Sequence, residues 1–244
     1  MTELIAAFLL PFNGIFLIFK PGLRRFALIP LLVNVVLYVG VAWLGFAYFD
    51  AFMARHLPQG GLWDYLQWLL WPLAVLAYLL IAFYSFTVVA NLIGAPFNSL
   101  LAARVETMLT GAPPPEEPTD LWRTILPAVL GELGKILYFL LRAIPVLLLF
   151  LIPGLNALAP LLWVLLGLWF LALEYGDYPM GNHGLAPRLQ RRTLAKKRLS
   201  ALAFGAGATA LMMIPVLNLA AMPALVAGAT RFWVERLGPA HTAG

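Results

Sequence analysis

Apolar residues dominate two long stretches near the start of the chain, from Phe26 to Phe49 and from Leu62 to Ile93. About 20 such residues cross the hydrocarbon core of a bilayer, so both stretches read as transmembrane helices. The second is longer than a span needs and is expected to tilt or project. Between them, "DAFMARHLPQGG" holds Pro58, Gly60 and Gly61 and reads as a short turn outside the membrane. Ahead of them, residues 1–20 read as an interfacial helix. Residues 94–120, "GAPFNSLLAARVETMLTGAPPPEEPTD", carry four prolines between 113 and 118 and read as a Pro-rich loop on the cytoplasmic side, with Asp120 placed to cap the next helix. In that next segment, 121–135, the residues Leu121, Trp122, Ile125, Leu126, Val129, Leu130 and Leu133 fall on one helical face. Such a pattern fits a helix lying in the interface.

The second half holds two similar apolar blocks, 136–175 and 199–235, each broken near its centre. The breaks are "LIPGLNALAP" and "MIPVLNLAAMP", and both read Ile-Pro-x-Leu-Asn. Neither contains a charged residue or the polar padding of a loop in water. Arms of about 17 residues reach roughly 26 Å, short of the roughly 30 Å hydrocarbon core. Two re-entrant hairpins with tips at depth are therefore favoured over four full spans. Non-helical backbone at that depth must be covered by protein or line a wet cavity. The fold class is thus an all-α integral membrane protein: two long transmembrane helices, two partly penetrating hairpins and interfacial amphipathic helices.

Composition agrees with this pattern. Of 244 residues 62% are hydrophobic and 11% charged, and mean hydropathy is +0.88. Soluble domains are about 45–50% apolar and about 25% charged, which excludes a soluble fold. No removable signal peptide is evident, since Glu3 stands where a basic region belongs. There is no Cys, hence no disulfide and no thiolate metal site. The net charge of +5 is concentrated at 20–25 and at 188–198, "RLQRRTLAKKR", with more in 104–135 and at the C-terminus. By the positive-inside rule both termini, the Pro-rich loop and the 176–198 segment face the cytoplasm. Nucleic acid is not an expected partner.

Catalytic signatures are lacking, and an enzyme is not expected. His56, His183 and His241 are scattered, and "GDYPMGNHG" reads as an interfacial turn holding Asp177, Asn182 and His183. "GAGATA", 205–210, lacks the ending of a phosphate-cradling loop, and its small residues suit close helix packing. Polar residues inside apolar runs say more. Arg142 interrupts "LYFLLRAIPVLL" and calls for a polar or charged partner, or for snorkelling to the interface. Asn13, Asn98, Asn156 and Asn218 each follow a proline within three residues. Their amides either satisfy backbone groups that proline leaves free or line a polar path without net charge.

"KPGLRRF" unites several anion-binding features. Pro21 and Gly22 separate one helix from the next, so the amides of Gly22, Leu23 and Arg24 are expected free at a helix N-terminus. Arg24 and Arg25 add planar, charge-assisted donors suited to oxyanions. An anchor for lipid phosphate reads equally well at this point.

Taken in order, "PGLRRFALIPLLVN", "APFNSLLAARVE", "YGDYPMGNH" and "MIPVLNLAAMP" cover nearly the whole chain and resemble the CysZ family of bacterial sulfate permeases. The resemblance implies a multi-pass inner-membrane protein that admits sulfate for cysteine biosynthesis, assembles as a homo-oligomer among membrane lipids and needs no cofactor. Sulfite and other oxyanions share the charge of sulfate. The family's sulfate-binding motif falls on Gly22, Leu23 and Arg24, with Arg25 beside them. Arg104 and Glu106 match a charged pair near the internal pathway, and Asn98, Arg142, Asn156 and Asn218 complete the pathway candidates. Two other classes stay open: a non-transporting membrane scaffold, and a lipid-binding accessory subunit whose 188–198 segment holds headgroups.

Overall fold

A computed structural model describes residues 1–26, 96–115, 121–218 and 220–238, the backbone alone for 121–129 and 132, and scattered positions between 28 and 94. The chain divides into two units, Met1–Ala27 with Asn98–Gly244, and Leu28–Phe97. All described elements are helical, and no strand occurs among the described residues.

In the Leu28–Phe97 unit the described positions are helical, and most are exposed, among them Leu32, Val35, Val36, Leu73, Leu76 and Leu79. Of the expected transmembrane helices, about half of 26–49 is described, all of it helical, while 62–93 lies for the most part outside the described residues.

The other unit opens with α1 (Thr2–Ile18), followed by α2 (98–110), α3 (Leu121–Leu149) and α4 (Ala159–Gly181). Then come the basic α5 (Pro187–Lys196), α6 (Arg198–Met212), the short α7 (Pro215–Asn218), α8 (Ala221–Phe232) and a wide helical turn, Trp233–Leu237. The expected helix at 1–20 is α1: one face packs against both α6 and α8, with α4 against the same two, while Ile5, Leu9 and Phe16 stay exposed on the other. Leu10, Leu17, Leu101, Val105, Leu173, Leu211 and Leu225 fill the space between, and the Phe204 and Phe232 rings stack at 5.6 Å.

Three expected boundaries move. The Pro-rich loop expected at 94–120 is helical over 96–110, where no proline follows Pro96, and among its described residues only 111–115 are non-helical. The interfacial helix at 121–135 and the first hairpin arm from 136 are one continuous helix of 29 residues. Glycine inside a helix costs only about 1 kcal/mol, so Gly131 and Gly134 do not break it. At the other end, helix α4 continues through 176–181, with Pro179 inside it, and turns only at Asn182–Gly184. Asp177 therefore stands on a helix, not in a loop. Both arms of the first hairpin exceed the expected length. Among the described residues α4, 23 residues, is long and apolar enough to cross a membrane, so the short-arm argument fails for this hairpin. It keeps its force for the second, where α6 has 15 residues and α8 has 12.

The chain reverses at both tips: the first is a turn through its Pro-x-Leu-Asn core, while in the second that core forms the short α7. In the first, Gly154 at φ +86° reverses the chain after Pro153, a conformation that L side chains avoid. Apolar side chains crown both tips: Leu151 is 77% exposed and Val216 76%.

What holds the helices together is the small-residue pattern. A Cβ on Gly205 would collide with the Leu168 carbonyl of α4, and one on Gly207 with the Phe8 carbonyl of α1. The expectation for "GAGATA" is met, because only glycine lets backbone meet backbone there. Gly205→Ala, facing rigid main chain, is expected to lower stability in detergent by about 1–3 kcal/mol. Gly167→Ala, where a Cβ meets nothing within 4 Å, is expected to be neutral or stabilising by about 0.5–1 kcal/mol. Thermal unfolding of the two variants side by side checks this, and equal losses would refute the backbone-contact argument.

Candidate functional site

The Lys20–Arg25 turn is shaped by its glycine. Helix α1 ends at Ile18, and Gly22 takes φ +90°. That curl brings the Leu23 and Arg24 amides back onto the Lys20 carbonyl, at 3.1 and 3.4 Å. The expected cradle of free amides is therefore not formed: two of its three donors are already used. Leu23 drives its side chain into the core, where it is 3% exposed. It acts as an anchor and offers no group to a ligand. Arg24 and Arg25 are left exposed side by side, and the Arg25 guanidinium lies 4.9 Å from the centre of the Phe26 ring. The two arginine side chains are exposed, whereas the Leu23 and Arg24 amides are engaged within the turn.

A second site joins α2 to the end of α4. Asn98 is buried and donates from Nδ2 to the Tyr178 hydroxyl at 3.3 Å. Ser99 Oγ donates to Asn182 Oδ1 at 2.9 Å, and Asn182 Nδ2 donates back to the Ser99 carbonyl at 2.9 Å. Two turns on along α2, Glu106 Oε1 meets His183 Nε2 at 2.6 Å, with the imidazole 5.2 Å from the Trp233 ring. Glu106 Oε2 is buried with no hydrogen-bond partner. The expected pairing of Arg104 with Glu106 is not what the helix makes. Two residues apart on a helix point to different faces: Glu106 is buried against His183, while Arg104 is exposed.

A third group crosses from α3 to α4 and α5. Lys135 Nζ lies 2.8 Å from Asp177 Oδ2, and Gln190 Nε2 donates to Asp177 Oδ1 at 2.5 Å and to the Leu185 carbonyl at 2.9 Å. A buried ammonium needs such a partner, since desolvation alone would expel it. Arg142 finds no carboxylate among the described residues. Its guanidinium sits 3.6 Å from the Tyr138 ring centre, and that ring's hydroxyl accepts from Trp169 Nε1 at 3.1 Å. The partner expected for Arg142 is thus a π-face, worth about 0.5–2 kcal/mol.

Asn156 and Asn218 are both exposed at the hairpin tips, where their main-chain amides close turns onto the Ile152 and Ile214 carbonyls. Among the described residues no hydrogen bond or ion pair joins either tip, or Arg24 and Arg25, to the α2–α4 group. Of the candidates, only Asn98 and Glu106 are drawn into one site. His183 and the Lys135–Asp177–Gln190 group went unassigned as functional partners in the sequence. The only signal was indirect: the "APFNSLLAARVE" and "YGDYPMGNH" segments both belong to the pattern of the resemblance. Among the described residues no cluster of three or more His, Asp and Glu is placed to hold a metal.

The Asn182 bonds give a graded expectation. Asn182→Ala removes both links to α2 and is expected to cost about 1–3 kcal/mol, the range for stranded buried polar groups. Ser99→Ala leaves the Nδ2–carbonyl bond intact and should cost less, about 0.5–1.5 kcal/mol. Thermal midpoints in detergent decide, and an equal loss would mean that the reciprocal pair does not hold α2.

Known proteins place the chain. The Sulfate transporter CysZ of Salmonella typhimurium is 42% identical over 227 residues, covering 90% of this chain and 88% of the relative. The Sulfate transporter CysZ of Pseudomonas aeruginosa is 41% identical over 234 residues, covering 93% of each. The family described as Sulfate transporter CysZ/Etoposide-induced protein 2.4 matches residues 10–223. With a match over most of its length and the motifs of that pattern in place, the chain belongs to the Sulfate transporter CysZ/Etoposide-induced protein 2.4 family.

Proposed function

We propose that this membrane protein is a sulfate permease of the bacterial inner membrane, supplying sulfur for cysteine biosynthesis and catalysing no reaction of its own. The observation that carries the reading is the 42% identity, over 90% of the chain, with relatives named for sulfate transport. Sulfate is a strongly hydrated dianion, so a conduit must replace its water with donors at each stage. Arg24 and Arg25 do this first. They stand exposed on a turn that the Leu23 anchor and Gly22 hold in place, and guanidinium forks match a tetrahedral oxyanion. Arg104, Asn156 and Asn218 are exposed and can meet the anion further along, as can the exposed edge of Arg142 beyond its Tyr138 contact. Asn98 and Glu106 act differently: Asn98 Nδ2 and Glu106 Oε1 are engaged with α4 and the turn after it, so these residues hold the walls of the path.

In this reading residues 26–49 and 62–93 span the membrane, and the hairpins of 136–175 and 199–235 enter from the cytoplasmic side, where both termini and the basic 176–198 segment also lie. Uncharged tips with exposed Leu151 and Val216 favour it, because such side chains need lipid or a second copy of the chain as cover. A homo-oligomer supplies that cover. Sulfite and related oxyanions would enter by the same chemistry.

Radiolabelled sulfate uptake into proteoliposomes tests the arginine pair. Arg24→Ala with Arg25→Ala is expected to cut flux about tenfold or more at low sulfate, the loss of about 1.5–3 kcal/mol of charge-assisted hydrogen bonding. The double Lys variant, which keeps charge but loses the planar fork, should fall between. Unchanged flux in the Ala variant removes the pair from the pathway.

A further inference from the structure

A large open cavity of about 990 Å³ lies where the first hairpin meets the basic helix α5. Five arginines line it: Arg142, Arg188, Arg191, Arg192 and Arg198. No carboxylate does so among the described residues. Among the described residues none of the five pairs with an acid. Arg142 and Arg191 both lean on the one Tyr138 ring, 3.6 and 4.4 Å from its centre. Arg191 also carries a buried Nη1 without an acceptor. Like charges so gathered require a counter-charge that no described residue provides.

The other wall of the cavity is apolar. Leu141 and Val146 of α3 face Leu162 and Leu165 of α4, all pointing away from the helix core. A free oxyanion would meet the guanidinium end and leave this wall uncovered. The space is also far larger than a tetrahedral ion. A ligand matching both ends must be amphipathic: an anionic head joined to hydrocarbon.

We infer that the cavity is a binding site for an anionic phospholipid of the cytoplasmic leaflet. Its phosphate lies among Arg188, Arg191, Arg192 and Arg198, and an acyl chain runs along the leucine wall towards the 150–158 tip. Basic pockets between membrane helices recognise phosphate headgroups in this way. Arg142, one turn above Tyr138 on α3, marks the level where head gives way to chain. The site rests only on membrane residence and stands whether or not the chain conducts sulfate.

Quenching by lipids with brominated acyl chains tests it, because Trp169 lines the cavity. Delipidated protein in detergent is titrated with brominated phosphatidylglycerol or brominated phosphatidylcholine, and the Trp169 signal is the difference between wild type and Trp169→Phe. Saturable quenching with a clear preference for phosphatidylglycerol is expected. Arg188→Gln with Arg192→Gln changes two exposed side chains, and should lower that preference about 30-fold, from about 1 kcal/mol for each basic residue. Sodium sulfate, compared with chloride at matched ionic strength, should not displace the lipid. Equal quenching of wild type by both lipids overturns the proposal without recourse to any variant. Selective displacement by sulfate also overturns it, and makes the cavity a vestibule for the free ion.

Discussion

Glycines let helix α1 touch α6 and α8 backbone to backbone: Gly207 beneath the Phe8 carbonyl, Gly228 beneath that of Leu10, and Gly14 against Ala224. Lipid tails are as apolar as leucine, so helices in a bilayer gain little by burying apolar area against each other. Close contact of many atoms must serve instead, and it is lost steeply when a gap of less than an ångström opens. The turn bearing Arg24 and Arg25 begins directly after α1, so its position is inherited from those contacts. The same argument applies on the far side, where Gly205 seats α6 on the Leu168 carbonyl and thereby fixes α4, which carries Asp177 and Tyr178.

Much of this could be read along the chain, for physical reasons that are local. Helices announce themselves by apolar length, and the paired Ile-Pro-x-Leu-Asn breaks fall where the structure turns, at 150–158 and after Met212. Small residues at 205–210 marked a tight interface because no other composition tolerates one. The arginine pair at 24–25 was visible because two guanidiniums beside Pro-Gly have few structural uses.

What escaped was everything decided by the third dimension. The free-amide cradle failed because a positive φ at Gly22 folds the turn onto Lys20, and hydrogen-bond partners one turn away cannot be ranked from composition. Arg104 and Glu106 looked like a pair by proximity in sequence, yet helix geometry sends them apart, and the true partner, His183, lies 77 positions on. Helix ends moved for a related reason. Gly131, Gly134 and Pro179 are punctuation in an isolated peptide, but packing against neighbouring helices outweighs penalties of about 1–3 kcal/mol. The basic 188–198 segment read as a topology signal, and only the folded chain shows its arginines converging with Arg142.

The hairpin tips, FLIPGLNAL at 150–158 and MIPVLN at 213–218, carry no ionisable group. A charge carried across the whole bilayer exchanges about 2.3 kcal/mol with the field for every 100 mV; a neutral tip exchanges none. If these turns shift to open a passage, the electrical potential performs no work on them. Whatever steepness with voltage the flux displays then belongs to the cargo, whose own two negative charges must climb the gradient of a cell that is negative inside.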